Sequence, residues 1–171
     1  MTGLFKKLIG KGKEIPSEQI PDIINNLKLL AEAETNISVF YNLCALAAGP
    51  EADLWAHIAA EELGHAENLK RMAALVAEKP ELYAPGYSFK PASIRLFSLH
   101  VQNLVEEMET GKIPREKLHS IALEIENSAV ELNVGKIVET ENEEYNRLAR
   151  QIDSESQDHR RAISLEKAGN A

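Results

Sequence analysis

A carboxylate and an imidazole, Glu62 and His65, stand three residues apart in this sequence. On a helix that spacing places both side chains on one face, about one turn apart. Carboxylate and imidazole groups together suit a transition-metal ion. The face is otherwise apolar, because steps of three and four residues give the stripe Trp55, Ile58, Glu62, His65, Leu69, Met72 and Val76.

A carboxylate on an apolar stripe needs a partner. Burying it ionised and unpaired costs several kcal/mol, which is comparable to the whole stability of a small domain. A metal ion is the simplest partner for Glu62 and His65 together. The other interpretation is a buried Glu–His pair that keeps the helices in register.

A second carboxylate occupies the same kind of position earlier in the chain. Glu34 lies on a stripe of unbroken four–three spacing, so a second helix also directs a carboxylate into the core. We predict Glu34 as a further ligand. The alternative is that a basic side chain such as Arg71 or Arg150 reaches inward to pair with it. The stripe comprises Ile23, Leu27, Leu30, Glu34, Ile37, Tyr41 and Cys44.

The second half of the chain repeats this arrangement weakly. Residues 125–126 correspond to 33–34, and residues 152–159 correspond to 58–65. Two helical hairpins of this kind would enclose a site with pseudo-twofold symmetry, and such a site suits iron or manganese. The ligands predicted from the second half are Glu126, Glu155 and His159.

Helices must position these residues, and prolines and glycines mark where the helices end. Five amphipathic stretches result, and no window predicts a strand. We predict an all-α fold, an antiparallel four-helix bundle of residues 17–168 with a long crossover that carries a shorter extra helix. The predicted helices run from about Pro21 to Gly49, from Pro50 to Pro80, over 94–110 and 115–139, and onward from a capping box at 140–143.

Composition limits the partners and the compartment. The net charge of −8, without a broad basic face, argues against a nucleic-acid partner. The single cysteine, Cys44, excludes an internal disulfide and favours a reducing cytoplasm. Residues 1–16 are basic, and we predict a mobile tail there. Membrane contact through residues 1–14 is the less favoured alternative.

The order and spacing of these motifs resemble the rubrerythrin-like branch of the ferritin-like superfamily over roughly residues 20–166. The resemblance implies a bundle in which each half supplies one glutamate from its first helix and a Glu-x-x-His from its second, binding two irons. Proteins of that family reduce peroxide or oxygen, or handle iron. The motifs are Glu34 with Tyr41, Glu62-x-x-His65, Glu126 and His159.

Each role carries over by position. The resemblance implies that Glu34 and Glu126 are the terminal carboxylates. It implies that Glu62 bridges the two metals. His65 and His159 would each supply one nitrogen.

The sequence departs from the family pattern in three places. Ser156 stands where the second bridging glutamate is expected. Glu155 is a replacement ligand if it turns inward, and otherwise a solvated edge residue like Glu61. Ala129 stands where rubrerythrins proper have an extra glutamate. The rubredoxin module needs paired cysteines, and this chain has only one.

We predict a metal-binding protein with iron at a two-metal or degenerate one-metal site, and manganese and zinc are the other compatible metals. Oxygen or peroxide chemistry would require an external electron donor. The alternatives are a non-catalytic iron-binding protein and a metal-free bundle that serves as an interaction or structural module. We expect a homodimer. We expect Tyr41 to donate a hydrogen bond to a ligand, although a tyrosine that only packs in the core fits the spacing equally.

Overall fold

The structure is a computed structural model that describes residues 19–47, 49–87 and 90–169, with side chains to residue 166. The basic segment predicted at residues 1–16 lies outside the described residues. The fold is all-α, which confirms the predicted fold class. The helices are α1 (Ile20–Ala47), α2 (Ala52–Glu78), α3 (Pro91–Glu109), α4 (Leu118–Leu132) and α5 (Glu143–Gly169).

Helix packing follows the apolar stripes of the sequence. Helices α1 and α2 are joined by a short loop and pack along their length. Helix α3 lies against α1, and α5 contacts both α2 and α4. One continuous apolar core results. Each fully buried leucine or isoleucine in it stabilises the fold by about 1.5–3 kcal/mol, and this offsets the cost of burying charged groups.

The limits of the first three helices agree with the sequence-based prediction to within a few residues. Gly49 separates α1 from α2 and has a φ of 45°, a left-handed conformation that glycine adopts without strain. Pro91 begins α3, as expected for a residue whose missing N–H would be unbonded in the first turn. Helix α5 begins later than predicted, because Asn142 caps it by accepting the backbone N–H of Tyr145 at 2.9 Å.

The helix predicted over 115–139 is present as α4, but its predicted C-terminal end is wrong. Helix α4 ends at Leu132 because Asn133 adopts a left-handed conformation with a φ of 48°, which asparagine tolerates better than most residues. A 3-10 turn, Val134–Lys136, follows, and then a two-residue strand, β2 (Val138–Glu139). Asn133 therefore lies outside the helix that carries Glu126.

The prediction that no strand exists is also wrong, although the strands are short. Strand β2 pairs antiparallel with β1 (Ala84–Pro85), which lies in the connection between α2 and α3. The two backbones come so close that a Cβ at Gly86 would clash with the Lys136 carbonyl oxygen. Two-residue strands are too short for alternating hydrophobicity to reveal them.

None of the described helices has the length and apolar character needed to cross a membrane.

Candidate metal centre

Five of the predicted ligands meet in the interior, where α1, α2, α4 and α5 bring their polar positions together. Each of them is at most 4 % exposed. They form two triads that share Glu62, and within each triad the donor atoms all lie within 4.8 Å of one another. The first triad is Glu34, Glu62 and His65, and the second is Glu62, Glu126 and His159.

Helix register sets the position of the first triad. Ser38, one turn after Glu34 on α1, donates a hydrogen bond of 2.6 Å to the carbonyl oxygen of Ala59. Ala59 lies almost one turn before Glu62 on α2. Because this buried bond ties the two helices together beside the cluster, it holds Glu34 level with Glu62.

The two carboxylate oxygens of Glu62 contact two different histidines. Its Oε2 lies 2.9 Å from Nδ1 of His65, and its Oε1 lies 2.9 Å from Nδ1 of His159. The two imidazole rings are stacked with centroids 5.6 Å apart. A single carboxylate therefore contacts the histidines of both halves, which is the arrangement that a bridging ligand requires.

His159 provides the observation that tests whether a metal fits. Its Nδ1 is buried and makes no hydrogen bond to any described residue, although Glu62 Oε1 is 2.9 Å away and Glu126 Oε2 is 3.9 Å away. Buried nitrogens are rarely left unbonded. An imidazole nitrogen that is ion-paired with one carboxylate and near a second, yet makes no hydrogen bond, matches the donor set of an iron or manganese ion, so the residues present fit a metal.

The outer nitrogens of the two histidines are held by carboxylates from the opposite half. Nε2 of His65 lies 2.8 Å from Oε2 of Glu155, and Nε2 of His159 lies 2.9 Å from Oε2 of Glu61. These contacts are reciprocal, since Glu61 lies on α2 with His65 while Glu155 lies on α5 with His159. A carboxylate on one nitrogen keeps the proton there and leaves the other nitrogen free for a metal.

These contacts show where Glu155 and Glu61 lie. Glu155, predicted as a replacement ligand, belongs to neither triad, because one residue of displacement turns its side chain to the outer side of His65. Glu61, expected to be a solvated edge residue, contacts His159, and its side chain is 34 % exposed against 30 % for Glu155. The sequence repeat contained the signal, since Glu61 and Glu155 occupy equivalent positions.

Tyr41 reaches the cluster from α1. Its hydroxyl donates a hydrogen bond of 2.5 Å to Oε1 of Glu126, and the ring is fully buried. This bond fixes one oxygen of Glu126 and leaves Oε2 directed towards His159. The tyrosine therefore orients the carboxylate in addition to packing in the core.

Arginine side chains do not explain the buried carboxylates. Arg71 pairs with Glu144 and Glu78 outside the core, with its Nε 2.8 Å from Oε1 of Glu144. Arg150 is exposed. The alternative that either arginine reaches inward to Glu34 is therefore wrong.

Protons neutralise the cluster in the metal-free protein. Burial and the nearby Glu62 and Glu126 raise the pKa of Glu34. Burial and the charge of Glu62 raise the pKa of Glu126 to about 8. Burial would lower the pKa of His159, but the carboxylates around it raise this pKa to about 9. These groups hold protons where a bound cation would otherwise balance the charge.

Glu62 is the exception. Burial would raise the pKa of this carboxyl, but its contacts with His159 and His65 lower the pKa to about 2. The pKa of His65 is raised in turn, because Glu62 and Glu155 outweigh the effect of burial. Glu62 is therefore the permanent anion at the centre of the cluster.

Ser156 is buried, at 5 % exposure, in the position equivalent to Glu62. The two triads together contain only three carboxylates, all from described residues. No family model matches this chain, and searches of characterised proteins and of solved structures also gave no match.

Proposed function

We propose that this chain is a ferritin-like four-helix bundle that binds one or two transition-metal ions, with iron preferred, between its two halves. The observation that supports this most strongly is the pair of triads that share Glu62, together with the buried Nδ1 of His159, which makes no hydrogen bond and faces two carboxylates. The order and spacing of the motifs, which resemble those of rubrerythrin-like proteins, support the same proposal.

Each residue has a defined part in holding a metal. Glu34 and His65 would bind one ion, Glu126 and His159 would bind the other, and Glu62 would bridge them. When bound, iron would supply one-electron redox chemistry towards oxygen or peroxide. Burial of the ligands keeps bulk water away from that position, which strengthens the electrostatic interaction of the carboxylates with a cation.

The charges of the ligands predict that the two proposed metal positions differ in affinity. Two divalent ions carry four positive charges, and the three carboxylates of the triads offset only three of them. The position at Glu34, Glu62 and His65 has every ligand that the rubrerythrin-like pattern expects from the first half. The position at Glu126 and His159 lies in the half where Ser156 replaces a carboxylate, so we expect it to bind its ion more weakly.

A second function is favoured by a different observation. Because the pKa values of Glu34 and Glu126 are raised, protons can balance the charge of these two carboxyl groups in place of a cation. A metal-free bundle that acts as an interaction or structural module is the alternative. The two functions differ in whether the folded chain takes up metal at all.

Metal loading decides between them. The purified chain, prepared without a chelating tag, is loaded anaerobically with ferrous iron and desalted, and its iron is measured by elemental analysis. We expect at least one ion per chain, and loss of that ion in Glu62→Gln. The matched control is Glu67→Gln, which removes an exposed carboxylate from the same helix. Well under one ion in the native chain, or equal loss in both variants, would favour the metal-free module.

A further inference from the structure

Two carboxylates connect the buried cluster with the solvent. The five cluster residues are at most 4 % exposed, whereas the side chains of Glu61 and Glu155 are 34 % and 30 % exposed. Each of these two carboxylates lies against the outer nitrogen of a cluster histidine, Glu61 at His159 and Glu155 at His65. Both are therefore candidate points at which a metal ion could enter, and their surroundings differ.

His57 distinguishes the surroundings of Glu61. It lies one turn before Glu61 on α2, its side chain is 70 % exposed, and its Nε2 is 3.4 Å from Oε2 of Glu61. Two ligand atoms that each lie about 2.1 Å from one tetrahedrally coordinated ion are about 3.4 Å apart. Imidazole and carboxylate groups both bind divalent transition metals. The pair is therefore spaced to hold one such ion at the surface.

We propose that His57 and Glu61 form a surface capture site for a divalent transition-metal ion, through which the ion enters the buried cluster. This inference rests on the proposed function, because the cluster is the destination of the captured ion. Glu61 links the two places, since the Oε2 that faces His57 also lies 2.9 Å from Nε2 of His159. Entry beside His159 leads first to the metal position that we expect to be the weaker one, and a weakly held ion can move on to the tighter position.

The sequence repeat shows what the other entry point lacks. In the alignment that pairs residues 58–65 with 152–159, Gln151 takes the place of His57. Its Nε2 donates a hydrogen bond of 3.0 Å to Oε1 of Glu155. An amide that donates in this way holds the carboxylate in place, and it is a poorer ligand than imidazole for a transition-metal ion. The two outer carboxylates are equivalent in sequence, but only Glu61 has a metal-binding group at this position.

Charge adds to the difference one turn further back along each helix. Asp53 precedes His57 by one turn on α2 and is exposed. Arg147, which is also exposed, stands at the equivalent position of α5. A carboxylate attracts a divalent cation to this face of α2, whereas a guanidinium group repels a cation from the same face of α5.

Gly64 leaves Glu61 uncovered. A helical side chain lies over the turn that precedes it, so a side chain at position 64 would lie towards Glu61. Glycine is unfavourable inside a helix, and packing does not require it here, because a Cβ would meet no atom within 4 Å. The equivalent residue of α5 is Asp158, which pairs with Arg161. Glu61 therefore has room to turn between a captured ion and His159.

A surface ion pair without any function in metal binding is the other interpretation of His57 and Glu61. Such pairs contribute little to stability. Under that interpretation, replacing His57 would leave the rate of metal uptake unchanged.

The first experiment measures how fast the full chain takes up ferrous iron, without oxygen. A coloured ferrous chelator is added at set times after the iron, and iron that the chelator does not reach is counted as buried. We expect His57→Gln, which gives α2 the residue of α5, to slow uptake by about tenfold or more. The final iron content should stay native, because the triads do not include His57.

Two further variants show whether any slowing is specific. The matched control is His100→Gln, which removes an exposed histidine from α3 and should take up iron at the native rate. Asp53→Asn should slow uptake less than His57→Gln does, and its effect should disappear at high salt, because salt screens exposed charges. A native rate in His57→Gln, or equal slowing in His57→Gln and His100→Gln, would overturn the capture site.

The second experiment detects the captured ion itself. It uses Glu62→Gln, which removes the ligand that both triads share, so that the surface site is observed alone. Manganous chloride is added below one equivalent, because this paramagnetic ion broadens the NMR signals of nearby nuclei. We expect the ring signals of His57 to broaden while those of His100 stay sharp. Equal broadening of both, or of neither, would overturn the capture site. Circular dichroism checks that the variant is folded, and the first experiment retains native Glu62.

The two experiments separate the capture site from the buried centre. A chain that binds manganese at His57 but takes up no iron would overturn the proposed metal centre, and with it the entry role of the surface site. A chain that takes up iron at the native rate in His57→Gln would overturn the capture site and leave the metal centre supported.

Discussion

The two halves of the molecule contribute unequally to the cluster. The first half consists of α1 and α2, two long helices that pack along their length and supply Glu34, Glu62 and His65. The second half consists of α4 and α5, and α4 has only 15 residues before Asn133 interrupts it. That half supplies Glu126 and His159.

The difference shows that a sequence repeat can keep its histidines while losing part of its symmetry. His65 and His159 are both buried beside the same carboxylate, and each has an outer carboxylate from the opposite half. Only the first half provides a carboxylate that reaches both histidines, because Ser156 stands in the equivalent place. The carboxylate and histidine cluster therefore depends on the first half more than on the second.

Substituting the terminal carboxylate of each half in turn should reveal the largest difference between the two halves. We expect Glu34→Gln to weaken the tight ferrous ion by more than about a hundredfold, since removing even an outer partner of a ligand costs 10–100-fold. Glu126→Gln should leave that ion within about tenfold of native. Anaerobic isothermal titration with ferrous iron measures both. Equal losses would mean that the halves bind as equals.

The outer carboxylates test the reciprocal contacts. Glu155→Gln should weaken the ion held by His65, and Glu61→Gln the ion held by His159, each by about tenfold or more. The crossed pattern is the informative result, because each variant acts on the histidine of the opposite half. Both affinities can be read from the same titration. Glu67→Gln, an exposed change on α2, serves as the control and should alter neither.

Restoring the missing carboxylate should make the halves more alike. We expect Ser156→Glu to raise the affinity of the weaker position by about tenfold or more, since a fourth carboxylate balances the charge of two divalent ions. Ser156→Ala should change it little. Titration of the three proteins, without oxygen, provides the comparison. Two equally tight ions already bound to the native chain would show that Ser156 has no consequence for metal binding.

The smallest expected effect is a dependence of metal-free stability on pH. The pKa values of Glu126 and His159 are raised by folding to about 8 and about 9, from 4.5 and 6.5. Each group therefore contributes fully to stability below its pKa in the unfolded chain. That contribution is lost as the pH rises through its pKa in the folded chain. The pKa of Glu62 is lowered to about 2, so its contribution is lost as the pH falls below 4.5.

The melting temperature of the metal-free chain should thus be highest near pH 4.5 and decline by several degrees towards pH 9. About 1 kcal/mol corresponds to about 2–4 °C for a chain of this size. Iron should reverse the trend, because ligands must lose their protons to bind it and affinity rises with pH. A metal-free melting temperature that rises between pH 5 and 9 would contradict the protonation of the cluster.

Much of the cluster follows from the helical period of the sequence. That period alone assigned Glu34, Glu62 and His65 to apolar faces, and all three are buried. It failed for α4, where the pattern continued past Asn133 although the backbone turned there. Amphipathic spacing indicates where a helix can continue, but it does not identify a single residue that leaves the helical conformation.

The sequence by itself determined which side chains enter the core, because a period of 3.6 residues sets the direction of each side chain from its own helix axis. Only the tertiary structure decided what those side chains meet. The contacts of Glu61 and Glu155 with the opposite histidines, and the stacking of Tyr41 on Trp55, join residues on different helices. Such contacts depend on the separation and register of the packed helices, which one helix's own pattern does not specify.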